Sequence, residues 1–165
     1  MARHPDHPRD RPGNFWDQRY GGGDMVFGHE PNQWLQANTD LLKPGLDALM
    51  LGDGEGRNGV WLAKRGLNVT NVDAFLVGVE KATQLAASRG VSINAENAYL
   101  RDWVVPVGAF DLVMLAFLHV RPDDCTELHH RIASTLKHGG LLLLEGFTPD
   151  HLGYGKGGCR SRTRC

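Results

Sequence analysis

The stretch "ALMLGDGEGRNGVWLAKRG", Ala48 to Gly66, constrains the fold more than any other part of the chain. It opens as an apolar run, passes through glycines at alternate positions (Gly52, Gly54, Gly56) and continues as a short helix, 57–65, closed by Gly66. A buried strand that feeds a helix through a tight loop returns to its sheet by a crossover, so the next strand runs parallel to it. The rest of the chain repeats this alternation. Strands are predicted at 47–51, 68–74, 91–98, 110–118 and 141–147, and helices at 57–65, 77–89 and 121–140. "FDLVMLAFL" (110–118) is almost wholly apolar, as suits a central parallel strand covered on both faces. In the 121–140 helix, Cys125, Leu128, Ile132 and Leu136 form the buried stripe, Asp123 and Asp124 suit the first turn, and Lys137 and His138 the last. Upstream, a helix entered at Pro31 places Trp34, Leu35, Asn38, Leu41 and Leu42 on one side. The predicted class is α/β: a Rossmann-like, doubly wound, mostly parallel sheet with helices on both faces.

A chain of 165 residues is one domain. Residues 1–14, rich in Pro and charge, read as a flexible lead-in without the apolar core of a secretory signal. The domain is expected over 15–155. Residues 156–165 read as a disordered basic tail, with a basic interaction tail as the alternative. A net charge of −1 gives no general case for nucleic acid or an anionic membrane, and no apolar run reaches the roughly 20 residues that span a bilayer. Three cysteines without CxxC spacing argue against a disulfide framework or a zinc site; a reducing, cytoplasmic setting is expected, with Cys125 packed in the core. The eight histidines do not form an HxxxH pair with an acid between, so no metal is expected.

The glycine loop admits two phasings. Gly54 to Gly59 spells GxGxxG, the dinucleotide fingerprint, but that fingerprint starts directly after its strand. The residue after the strand is Gly52, and counting from it gives GxGxG, with Arg57 where the third dinucleotide glycine belongs. Asp73 closes the second strand, where a carboxylate can accept from both hydroxyls of a ribose; the alternative is a solvated or helix-capping strand-end acid. His119, beside the crevice at the strand ends, is a candidate proton acceptor, and a strand-end residue bonded to backbone is its alternative.

The run "LGDGEGRNGVWLAKRGLNVTNVDAFLVGVEKA" resembles the class I S-adenosylmethionine-dependent methyltransferases, and within them the tellurite-resistance and thiopurine methyltransferase-like group. "WDQRY" (16–20) and "FGHEP" (27–31) look like the N-terminal segment that closes over the cofactor in that group, and "FDLVMLAFLHV" and "LLLLEGFTPDHLGYG" match its fourth and fifth strands. The resemblance implies S-adenosylmethionine as cofactor, held by Gly52, Asp53, Gly54, Gly56, Asp73, Asp102 and Trp16. It implies methyl transfer by in-line displacement to a small-molecule acceptor. A cofactor-binding relative without turnover is the alternative, and an NAD(P)-dependent oxidoreductase a third. The chain departs from the group at Met50 and Asp53, where members commonly have an acid and a small residue or Cys. It also departs at Tyr99, where members tend to have the acid that meets the adenine amino group. The last two strands of the group are not recognisable, which leaves the fifth strand as an apolar edge open to self-association.

Overall fold

The computed structural model describes residues 15–120, 122–148 and 150–151. The lead-in and the basic tail, with Cys159 and Cys165, lie outside the described residues. Two short helices come first, α1 (Trp16–Tyr20) and α2 (Gln33–Ala37). The alternating body follows: β1 (Asp47–Leu51), α3 (Arg57–Lys64), β2 (Asn68–Asp73), α4 (Leu76–Ser88), β3 (Asn94–Asn97), β4 (Phe110–Ala116), α5 (Pro122–Thr135) and β5 (Leu136–Glu145). The sheet order is β3-β2-β1-β4-β5, and every pairing is parallel. The order reverses direction between β1 and β4, the topological switch point at which such sheets open a ligand crevice beyond the carboxyl ends of their strands.

The core lies on both sides of the central strands. Leu35, Leu62, Met50, Leu112 and Met114 pack on one face. Leu49, Leu51, Val113 and Leu115 meet Leu128 and Ile132 of α5, together with Trp103, on the other. Each such side chain contributes about 1.5–3 kcal/mol by leaving water. One polar side chain interrupts this interior. Asn71, in the middle of β2, is fully buried, and neither end of its amide has a hydrogen-bond partner among the described residues.

Three expectations are corrected. The helix expected to run to Gly140 ends at Thr135, and β5 begins at Leu136. The last carbonyls of α5 are taken by the approach to β4, through Gly108 N–H to Ser134 O and Ala109 N–H to Thr135 O, both 2.8 Å. Lys137, expected in the last helical turn, instead reaches Asp47 (2.7 Å) and Asp111 (2.8 Å), and the β4–β5 register slips there. The helix expected from Pro31 to Leu42 is two pieces, α2 and a 3-10 turn at Thr39–Leu41. Asn32 caps α2 by accepting from Trp34 N–H and Leu35 N–H, so Pro31 stands outside it. Leu35 and Leu42 are buried, whereas Trp34 and Leu41 are exposed. Cys125, expected as a buried core thiol, is only partly buried and is disulfide-bonded.

Candidate functional site

The glycine loop follows β1 as expected, and Gly52, Gly54 and Gly56 all have positive φ. The space freed by their missing Cβ atoms is used by the protein itself. A Cβ on Gly56 would lie 2.5 Å from Ala82 Cβ and 2.9 Å from Ala82 Cα, so this glycine lets α4 pack on the loop. A Cβ on Gly54 would lie 2.4 Å from the Tyr20 hydroxyl, and one on Gly52 would lie 2.7 Å from Leu118 Cδ1. Three separate segments therefore converge on the loop: α1, α4 and the turn after β4.

Asp73 ends β2 against the same loop and is 4% exposed. Gly54 N–H donates to its Oδ2 (2.8 Å) and Phe75 N–H to its Oδ1 (2.9 Å). The carboxylate thus ties loop to strand, and spare lone pairs remain on both oxygens. Burial raises its pKa above the ordinary carboxylate value; the two backbone donors work against that, and the nearby Asp17 charge adds to it.

Asp53 turns back toward α3. Its Oδ1 accepts from Asn58 Nδ2 (2.7 Å) and its Oδ2 from Gly59 N–H (2.8 Å), a donor of the first helical turn. Asp53 Oδ2 and Met50 Cγ both lie within 3.5 Å of the point a Gly59 Cβ would occupy. The loop acid thus reaches the β1 end where Met50 presents only a thioether. Burial pushes its carboxyl up to about 6, against the pull of Gly59 N–H and Asn58. The first turn of α3 thus already faces this acid.

The polar residues of "GEGRN" fasten the N-terminal segment. Glu55 is buried, accepts from Val26 N–H (2.7 Å) and pairs with Lys81 (2.9 Å); Lys81 also donates to Gly22 O and Asp24 O. Arg57 donates to Phe27 O and Glu30 O, and Asn58 Oδ1 accepts from Asn32 N–H (2.8 Å). Periodicity along the chain could not find these partners, which lie 26 to 59 residues away. The available signal was the crowding of polar side chains into a first helical turn that packing must bury.

Trp16 is partly buried, stacks on Tyr20 (5.3 Å) and meets Phe27 (5.9 Å), with Arg19 above both rings. Burial and the Asp73, Glu55 and Asp53 charges together raise the Tyr20 hydroxyl pKa. Two polar atoms at this rim are buried without a partner among the described residues: Asp17 Oδ1 in α1 and the Tyr99 hydroxyl just beyond β3. Asp102, expected among the cofactor residues, is instead about 70% exposed and faces Arg101 at 3.4 Å. His119 lies three residues beyond the end of β4, is exposed and stacks on Phe147 (6.0 Å), which also stacks on His151 (4.0 Å). Among the described residues there is no group of His, Cys, Asp and Glu fit to hold a metal.

A parallel sheet with a glycine loop after β1 and a buried acid closing β2 defines a Rossmann-like cofactor-binding domain. The methyltransferase-domain family model matches residues 48–140, more than half of the chain, and the chain belongs to that family. S-adenosylmethionine is the cofactor that this membership implies.

Solved structures share the fold. A SAM-dependent methyltransferase from Aquifex aeolicus aligns at 16% identity and TM-score 0.60, over 69% of this chain and 63% of its own. An S-adenosylmethionine-dependent methyltransferase from Mesorhizobium loti aligns at 24% and 0.63, over 73% and 54%. The [4+2]-cyclase SpnF aligns at 19% and 0.62, over 78% and 53%. The chain thus spans between about half and two thirds of the length of these relatives. No curated protein matches it. No described helix is long and apolar enough to cross a membrane.

Proposed function

We propose that the chain binds S-adenosylmethionine at the loop after β1 and transfers its methyl group to a small-molecule acceptor. The observation that carries this reading is the charge of the rim. Asp53, Glu55 and Asp73 all act on Tyr20 at the loop, and Asp17 acts on Asp73. Of the nearby cations, Lys81 is held by Glu55 and backbone oxygens, Arg57 by two backbone carbonyls, and Arg19 lies over the Trp16 and Phe27 rings. A pyrophosphate would meet the Asp53 and Asp73 carboxylates, whereas a sulfonium is attracted to them. The rim therefore favours S-adenosylmethionine over a nicotinamide dinucleotide. The buried, unpartnered Asp17 and Tyr99 oxygens fit a ligand rich in hydroxyl and amino groups.

When bound, the cofactor supplies a methyl group on a positively charged sulfur. The chain's share is to align the acceptor and exclude water. Trp16, Tyr20 and Phe27 supply apolar cover on the loop side, and Leu118 on the β4 side. Gly52, Gly54, Gly56 and Asp73 form the cofactor bed; Asp53 and Trp16 support it. His119 takes the proton from an acceptor that loses one on methylation. Thiol or chalcogen acceptors, the tellurite- and thiopurine-like assignment, a cytoplasmic setting in which the Cys125 disulfide would be held reduced, and self-association through β5 belong to this proposal. The second reading, a relative that holds the cofactor without turnover, is favoured by the contrast between the hydrogen-bonded glycine loop and the exposed His119 and Phe147 beyond β4 and β5.

The test is transfer of label from methyl-labelled S-adenosylmethionine across a panel of thiols, chalcogenides and amines. Labelled product supports the enzyme; binding of the cofactor with no product from any acceptor favours the second reading. For a proton-losing acceptor, His119→Asn is expected to lower turnover by about 10²-fold with cofactor affinity unchanged; unaltered turnover removes His119 from proton transfer.

A further inference from the structure

We infer that Phe117 is a positioning residue: its left-handed backbone turns the chain after β4 so that Leu118 stands against the glycine loop as an apolar wall beside the cofactor. The inference rests on the S-adenosylmethionine reading above. Phe117 is the one non-glycine residue with positive φ among the described residues, at +53°. Gly and Asn visit this region readily, whereas a bulky aromatic residue there is a strained exception. Such strain persists where the surroundings over-determine it, and it concentrates at sites that use it.

The register of the sheet shows what the turn accomplishes. Leu115 is level with Leu51 of β1, so Ala116 is level with Gly52. A strand that ran on would carry residue 118 about 7 Å beyond that level. Leu118 instead lies back over the loop: its Cδ1 is 2.7 Å from the point a Gly52 Cβ would occupy. Gly52 itself has φ of +68°, so the contact joins two left-handed corners, one after β1 and one after β4.

Phe117 is held in this conformation from the β5 side. Its N–H donates to Glu145 O (2.8 Å), which carries the β4–β5 ladder one residue past Ala116. Its ring lies 4.7 Å from that of Phe147, tilted by 42°. The corner thus transmits the position of β5 to the loop after β1, with Leu118 as the contacting group. Gly52 offers the loop no side chain of its own, so Leu118 supplies the apolar surface at that point. A ligand seated on the loop covers this surface, and burying it favours binding.

Calorimetric titration of S-adenosylhomocysteine into the full chain and its variants tests this. Phe117→Asn, Phe117→Gly, Phe117→Ala and Phe117→Val all remove the ring, so they differ mainly in how readily they hold a left-handed backbone. Affinity should follow that preference: the Asn and Gly variants within about threefold of wild type, the Ala variant lower, and the Val variant weakened about tenfold or more. Leu118→Ala should weaken the ligand by about tenfold, and adding Phe117→Val to it should cost little more, because both remove the same wall. Urea denaturation gives a second readout. Phe117→Gly should unfold at a higher midpoint than Phe117→Ala, the reverse of the usual order of these two residues. A packing role alone would rank the four variants by apolar bulk, with Val first. That ranking, equal affinities for all four, or a lower midpoint for the Gly variant than for the Ala variant overturns the inference while the cofactor reading stands. Failure of S-adenosylhomocysteine to bind the wild type overturns both.

Discussion

The glycine-loop end of the sheet and the β4–β5 end are built to different tightness. At the loop, three segments close over β1 with sub-van-der-Waals room for any added Cβ, and the side chains of Asp53, Glu55, Asn58, Asp73 and Lys81 each hold another part of the chain. At the other end, β5 buries Leu143 at 7% exposure but leaves Leu141, Leu142 and Leu144 at 41%, 44% and 50%. There the exposed rings of His119 and Phe147 stack on each other beyond the ends of β4 and β5. The glycine-loop end is thus pre-organised by long-range hydrogen bonds, whereas the other end, where the proposed function puts the acceptor, rests on ring stacking beside β5. The difference teaches that the loop end is fixed by many long-range contacts and the β4–β5 end by few.

The largest expected effect falls on the tight end. Gly56→Ala forces a Cβ to 2.5 Å from Ala82 at φ +81, combining left-handed strain with overpacking at a cost of about 2–5 kcal/mol. Urea denaturation measures it, and a loss below about 0.5 kcal/mol would mean that α4 is not locked to the loop.

Next comes the pH dependence of Asp53. Its carboxyl rises from 3.8 to about 6 on folding, so the folded state holds this proton more tightly than the unfolded chain does. The resulting stability is full below about pH 4 and is lost as pH rises through about 6, by about 2–3 kcal/mol. Asp73 is shifted in the same direction. Asp53→Asn removes this dependence, so the stability difference between variant and wild type should move in the variant's favour by that amount from pH 4 to pH 7. A difference that does not change with pH would place Asp53 in solvent.

The loose end gives the smallest effects. Leu142→Lys, on the exposed edge, should alter stability by no more than about 0.5 kcal/mol while reducing any concentration-dependent association measured by sedimentation. A large destabilisation would show that β5 is covered in solution and that the two ends are more alike than the fold shows.

Much of the architecture was legible locally. The bounds of β1 agree with those read from the apolar run, and α3, β2 and α4 lie within one residue of expectation, because their periodicity and glycine stops are local. The error at 136–140 has a non-local cause: "LKHGG" continues a helical pattern, but its pairing with β4 and the ion pairs of Lys137 with Asp47 and Asp111, 90 and 26 residues away, place it in the sheet. In the site, Asp73 and the glycines were recognisable by their order. The opposite orientations of Asp53 and Asp102, one inward and one to solvent, were not, since both sit in turns where no period applies. Asp17 went unnoticed because its significance lies in what it lacks: a partner for a buried oxygen.

The central claim, that the acidic glycine loop is a bed for S-adenosylmethionine, is tested most directly by one calorimetric comparison on the wild type and Asp73→Ala. S-adenosylhomocysteine should bind the wild type, NAD(H) and NADP(H) should give no heat, and Asp73→Ala should weaken S-adenosylhomocysteine by about 1–3 kcal/mol. Binding of a nicotinamide dinucleotide with no response to S-adenosylhomocysteine would contradict the account.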